Sequence, residues 1–172
     1  MSVQGLPLPE GYQLHDGAPP LDAYLHIRRV SGLTPVTPTQ GRRALDGSWY
    51  CVHLTYAPPV TSETSSAAST EVVGLARVIG DGGWYFHVSD VAVVPTHQRK
   101  GLGNILMDTI MRRVQQTAEP GFYINLFADP PGRKLYSRWG FRDTMPGELG
   151  MGRWVGGKGE IKESPAEDGA QQ

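Results

Sequence analysis

Asp90-Val91-Ala92-Val93-Val94-Pro95-Thr96-His97-Gln98-Arg99-Lys100-Gly101-Leu102-Gly103-Asn104 opens as a strand, stops at a proline and turns through two glycines into an amphipathic helix. Glycines at 101 and 103 let the backbone turn tightly and approach a ligand without Cβ clashes, so successive N–H groups can converge on one anion. The helix that follows adds its unpaired first-turn N–H groups and the positive end of its dipole. Arg99 and Lys100 place full positive charges beside them. This strand, turn and helix build an anion cradle, and its neighbours decide which anion.

A P-loop needs Gly, four residues, Gly-Lys and then Ser or Thr, and no such string occurs. The dinucleotide fingerprint also fails, because Leu106 stands where its third glycine belongs. What remains, Gln98-x-x-Gly101-x-Gly103, resembles motif A of the GNAT superfamily of N-acetyltransferases, written Gln/Arg-x-x-Gly-x-Gly/Ala. Downstream, Leu135-Tyr136-Ser137-Arg138-Trp139-Gly140-Phe141 is similar to the family's Leu-Tyr-x-x-x-Gly-Phe signature. The resemblance covers roughly residues 72–142 and reaches the N-terminal third only through the order of elements.

Composition sets bounds that fit one small enzyme domain. The chain has 172 residues, 39% of them hydrophobic, enough for a real core. Sixteen basic residues against seventeen acidic, with no basic run longer than two, argue against a nucleic-acid partner. The single cysteine, Cys51, excludes an intramolecular disulfide and a Cys-rich zinc site, and no metal is expected. Its apolar neighbours suggest a buried structural thiol in a reducing compartment. Residues 1–7 lack the basic and apolar regions of a leader, and no long charge-free apolar run follows. The expectation is a soluble cytoplasmic protein without a membrane partner, with nuclear residence left open.

Periodicity predicts a short strand near Tyr12–Leu14 and a helix over Leu21–Val30, with Leu21, Tyr24, Leu25 and Ile27 or Arg28 on one stripe. A second helix over Thr39–Leu45 would be capped by Thr37 or Thr39, and a strand over Trp49–Tyr56 follows from its aromatic and β-branched content. Residues 57–70 hold seven Ser or Thr and read as a flexible hairpin insertion. Strands over Glu71–Gly80 and Trp84–Val94 are joined by Asp81-Gly82-Gly83, a hairpin turn. The helix over Gly101–Thr117 carries its apolar stripe on Leu102, Ile105, Leu106, Ile110 and Val114. Phe122–Phe127 is a buried strand, Gly132–Arg138 a short helix and Met151–Val155 a last strand, while 156–172 reads as a disordered tail.

The GNAT resemblance implies one α/β (α+β) domain over residues 1–155. Its mixed, mostly antiparallel sheet is splayed between the fourth and fifth strands and flanked by helices. It implies acetyl-CoA as cosubstrate, its pantetheine arm in the splay beside Val91-Ala92-Val93 and paired to the backbone of Val91 and Val93. Gln98, Arg99, Lys100, Gly101, Leu102, Gly103 and Asn104 would receive the pyrophosphate. A structural alternative is a strand, turn and helix crossover in which both glycines only permit close packing.

Acyl transfer to an amine needs a neutral nucleophile, a polarised carbonyl and a proton for the leaving thiolate. The resemblance puts Tyr136 where the family places its donor hydroxyl, or else it is a core tyrosine beside Trp139 and Phe141. Counting back from Gln98, His87 falls level with a position bearing Glu or His in several relatives. It is the first choice of base, against a half-buried structural histidine. Unbroken alternation sends His87, Ser89, Val91 and Val93 to one face and Asp90 to the other, with Ser89 able to hold a water. A backbone N–H near Val91 would polarise the thioester. Asp129, in place of the family's asparagine, is expected to cap the following helix.

The implied reaction is direct attack by a primary amine, probed at Tyr24, His26, Arg28, Trp49, Tyr50, Trp84 and Tyr85. A small-molecule amine is favoured because no acidic run exists to grip a basic tail. The alternatives are a silent acyl-CoA-binding sensor and a protein or peptide N-acetyltransferase. Met151–Val155 is a candidate homodimer strand.

Overall fold

Five strands and four helices account for most of the computed structural model, which describes residues 5–59 and 69–151. The strands are β1 (Tyr12–Asp16), β2 (Tyr50–Tyr56), β3 (Glu71–Gly80), β4 (Tyr85–Val93) and β5 (Tyr123–Leu126), paired in that order. All pairs are antiparallel except β4–β5, which is parallel. The helices are α1 (Leu21–Val30), α2 (Pro38–Asp46), α3 (Leu102–Thr117) and α4 (Arg133–Arg138). The mixed, mostly antiparallel sheet flanked by helices is the architecture the sequence implied.

The one parallel pair matters most. Parallel neighbours need a crossover, here α3, so the chain must leave the C-terminal end of β4 and enter a helix there. That fixes the glycine turn and the N-terminus of α3 at the end of β4. The α3 stripe docks as its spacing predicted: Leu102, Ile105, Leu106, Met107, Ile110 and Val114 are buried against Val52, Leu54, Ala76, Val78, Phe86 and Val88. On the opposite face Tyr24 and Ile27 of α1 pack on Leu75 and Ala92.

Local chemistry moved some boundaries. Helix α2 begins at Pro38, because a proline loses nothing where N–H groups have no helical partner. Thr37 accepts from Gln40 N at 3.2 Å, and Gln40 Oε1 accepts from Thr37 N at 2.8 Å. In the β3–β4 turn Asp81 Oδ1 accepts from the N–H groups of Gly83, Trp84 and Tyr85. Cys51 is buried, and burial pushes its thiol up to about 11. Among the described residues no helix is long and apolar enough to cross a membrane.

Two expectations are corrected. The even alternation along β4 fails: Arg77 pairs with Asp90 but Val78 with Val88, so Ser89 is an extra residue, a β-bulge. Phe86 and Val88 face α3, whereas beyond the bulge Val91 and Val93 do, with Ala92 turned to α1. His87 therefore shares its face with Asp90, not with Val91 and Val93. Asp129 occupies the position before a 3₁₀ turn, Pro130–Gly132, yet its side chain makes no capping bond.

From Arg142 the chain forms a second unit. In it a turn is closed by Glu148 N donating to Thr144 O at 3.0 Å and Thr144 Oγ1 donating to Glu148 O at 3.1 Å. Met151 is not in a strand. Residues 60–68 of the insertion expected at 57–70, the rest of the expected last strand and the tail from 156 lie outside the described residues.

Candidate active site

Strand β4 pairs with β5 only from Tyr85↔Tyr123 to Val88↔Leu126. From Ser89 to Val93 its β5-facing edge has no strand beside it among the described residues. Val94 N–H donates to Val73 O on β3 at 2.8 Å, so by antiparallel alternation Val91 and Val93 turn their backbone groups toward the open edge. The bulge and the end of the ladder fall at the same place, and together they open a cleft between β4 and β5. The Val93 carbonyl is taken by the side chains of Gln98 (2.9 Å) and Ser31 (3.2 Å), which leaves Val91 and the Val93 N–H. Gln98 thus pins the end of β4 to the turn.

The turn itself is a sequence of special dihedrals. Arg99 has φ 64° and Gly101 φ 82°, both in the left-handed region. A Cβ at Gly101 would meet nothing within 4 Å, so glycine is needed there for its conformation alone. At Gly103 a Cβ would sit 3.2 Å from Leu135 Cδ2, so this glycine lets α4 come close. Asn104 and Ile105 N–H both donate to Gly101 O. The N–H groups of Leu102 and Gly103, just before them, have no backbone acceptor among the described residues. Open donors, an open cradle and exposed Arg99 and Lys100 fit a pyrophosphate. Lys100 Nζ rests on Tyr12, donating to its hydroxyl at 3.1 Å.

Leu135 is seated on Gly103, and the next residue, Tyr136, packs with it against the core beneath α3. Burial, then the carboxylates of Asp129 and Asp90, push the Tyr136 phenol above its ordinary value of 10.0, keeping it a proton donor. Its ring meets Phe141 edge-on at 6.3 Å.

His87 lies across the last paired rungs, with Asn125 Oδ1 2.6 Å from its Nδ1. Asn125 Nδ2 donates to Tyr85 OH at 2.5 Å, and with Oδ1 turned to His87 the shared hydrogen bond is one that Nδ1–H donates. Nε2 then holds a lone pair, the form a base requires.

Behind the cleft is a buried charge cluster. Asp90 accepts from Arg28 (2.6 Å), Arg77 (2.8 Å) and Tyr24 OH (2.9 Å). Burial alone would raise its carboxyl, but the two guanidinium groups outweigh burial and hold it below 3.8. Arg77 also donates to Ser89 Oγ at 2.7 Å, so Ser89 belongs to this cluster. Arg77 drew no attention in the sequence, since a lone arginine in an apolar strand carries no motif. Its position in a run of otherwise buried residues was the available signal.

The residues considered for the acceptor separate. Tyr24 and Arg28 are locked in the cluster, Trp49 packs on Phe86 at 4.8 Å, and Tyr50 bonds to Asp16. Burial, then that bond, pushes Tyr50 up to about 12. Tyr50 and Trp49 line a shallow pocket of about 460 Å³ with Arg113, remote from the cradle in composition. Trp84 and Tyr85 stay exposed at the start of His87's strand, and His26 is exposed on α1.

A model of the acetyltransferase (GNAT) domain matches residues 63–143, which include Gln98, both motif glycines and the Tyr136 segment. An uncharacterised N-acetyltransferase, ycf52, of Porphyra purpurea is 36% identical over 84 residues, 49% of this chain and 47% of that protein. The matched stretch is thus about half the length of this curated relative. A probable acetyltransferase of unknown function from meticillin-resistant Staphylococcus aureus superposes with TM-score 0.71 at 28% identity, covering 84% of this chain and 99% of that one. A GNAT-family acetyltransferase of Streptococcus pneumoniae shares the fold at TM-score 0.62 and 21% identity, covering 84% and 98%. With the domain model falling on the same turn, open edge and tyrosine helix, residues 63–143 of this chain carry a GNAT acetyltransferase domain.

Proposed function

We propose that the protein is an acetyl-CoA-dependent N-acetyltransferase acting on a primary amine of a small molecule, by direct attack with both substrates bound. The observation that carries this reading is the coincidence of the unpaired β4 edge beyond Val88 with the left-handed turn and open N–H groups at the start of α3.

Acetyl-CoA, when bound, supplies an activated acyl group. The chain's part is positioning and proton transfer. Leu102 and Gly103 N–H, with Arg99 and Lys100, hold the pyrophosphate, and Val91 with the Val93 N–H holds the pantetheine arm. A backbone N–H at Val91 polarises the carbonyl. His87 takes the proton from the amine at Nε2, and Tyr136, kept protonated by burial, gives one to the leaving thiolate.

Thermal unfolding with and without acetyl-CoA tests the cradle, and CoA release with an amine panel tests transfer. Acetyl-CoA at a hundred times its dissociation constant should add about 2.7 kcal/mol. Stabilisation without transfer to any amine would turn the reading into a silent sensor, and no stabilisation would remove it.

A further inference from the structure

A line of exposed aromatic rings runs along β4–β5 toward the cleft and is not used by the cofactor reading. On the His87 face, Tyr85 meets Tyr123 at 5.6 Å and Trp84 at 5.5 Å, while His87 meets Phe127 at 5.4 Å. Asn125 joins the two groups by bonding both Tyr85 and His87. These side chains are not core: Trp84 is 61% exposed, Tyr85 40%, Tyr123 36% and Phe127 74%. Helices α1 and α2 cover the part of this face around Leu75 and Ala92, and Ile79, opposite His87, remains 41% exposed.

We infer that this stripe is the acceptor platform and that it takes a primary amine joined by a short alkyl arm to an aromatic ring. The inference rests on the transferase reading and adds the substrate class. Length comes first. Tyr85 and His87 are two residues apart on one strand face, about 7 Å. An amine at His87 Nε2 with its ring over Tyr85 and Tyr123 therefore needs an arm of two or three carbons. Charge comes second. The stripe itself has no carboxylate, and Asp81 at its far end is engaged by three backbone N–H groups. A polyamine or aminosugar needs acidic partners along its length, whereas a flat ring needs stacking surface, which is what is present.

Isothermal titration of 2-phenylethylamine, tryptamine, spermidine, glucosamine and a dipeptide into the full chain with CoA tests this, with acetyl transfer measured on the same panel. The expected result is binding of the two arylalkylamines at least tenfold tighter than the others. That margin should be lost in Tyr123→Ala and Phe127→Ala while the thermal shift with acetyl-CoA stays. Equal or tighter binding of spermidine, glucosamine or the dipeptide overturns the platform, whether or not acetyl is transferred. Selective arylalkylamine binding without transfer upholds the platform and overturns the transferase reading.

Discussion

Asp90 accepts a hydrogen bond from Arg77 Nε at 2.8 Å across β3 and β4, where the ladder between those strands slips by one residue. The same guanidinium donates to Ser89, the extra residue of the bulge, so one arginine holds both residues that the slip brings opposite it. The bulge in turn reverses which side chains of β4 face the cleft. A buried ion cluster therefore sets the geometry of β4 beside its open edge, although none of its members is assigned a chemical step.

Removing Asp90 would leave Arg28 and Arg77 buried without their counter-charge. Asp90→Ala should cost about 3–5 kcal/mol in urea unfolding at neutral pH. Because the folded-state carboxyl lies below 3.8, its stabilising contribution is complete above that value and fades as pH falls through the lower folded one. The gap between wild type and variant should accordingly close in acid, and a gap that stays constant down to pH 2 would contradict the assignment.

Tyr136→Phe should lower kcat by about a hundredfold or more while leaving the thermal shift with acetyl-CoA intact. The phenol is raised above 10.0, so the donor form persists through neutral and mildly alkaline pH and is lost only above that value. The alkaline fall in kcat should lie above pH 10 in the wild type and disappear in the variant. Wild-type turnover in Tyr136→Phe would end this role.

The two motif glycines should separate in experiment. Gly101→Ala meets no neighbour but must keep φ near 82°, a strain of about 1–2 kcal/mol. Gly103→Ala meets the flexible end of Leu135 at 3.2 Å and gains helix propensity, so its stability should change by less than about 1 kcal/mol. Denaturation midpoints of the two variants measure this. A larger side chain at 103 displaces Leu135 and with it Tyr136, so Gly103→Trp should lower both cofactor binding and kcat.

The fold and the glycine turn were legible because they rest on local chemistry. Spacing gave the α3 stripe, glycines gave the turn, and Asp81-Gly82-Gly83 gave the hairpin. The orientation of β4 was not legible, since a bulge at Ser89 follows from a tertiary demand, Arg77 reaching Asp90, that period-two counting cannot see. The capping role read at Asp129 failed for a similar reason: Pro130 and Pro131 hold the turn, and Gly132 N–H bonds to the Asp129 carbonyl, not to its side chain. His87 was legible as a candidate, but its tautomer depends on Asn125, a residue 38 positions away that no motif names.

That dependence gives the last prediction. His87→Gln should reduce kcat by about a hundredfold near neutral pH, with partial recovery on adding imidazole, and leave acetyl-CoA binding unchanged. Asn125→Ala removes the acceptor that keeps the proton on Nδ1, so part of the population would carry it on Nε2, where it cannot serve as a base. The expected loss is roughly tenfold in kcat with little change in cofactor affinity. Asn125→Asp keeps an oxygen at that place, with Tyr85 OH able to donate in reverse, and should restore most of the rate. If Ala and Asp at 125 behave alike, the hydrogen bond does not orient the base, and His87 is a packing residue between β4 and Phe127.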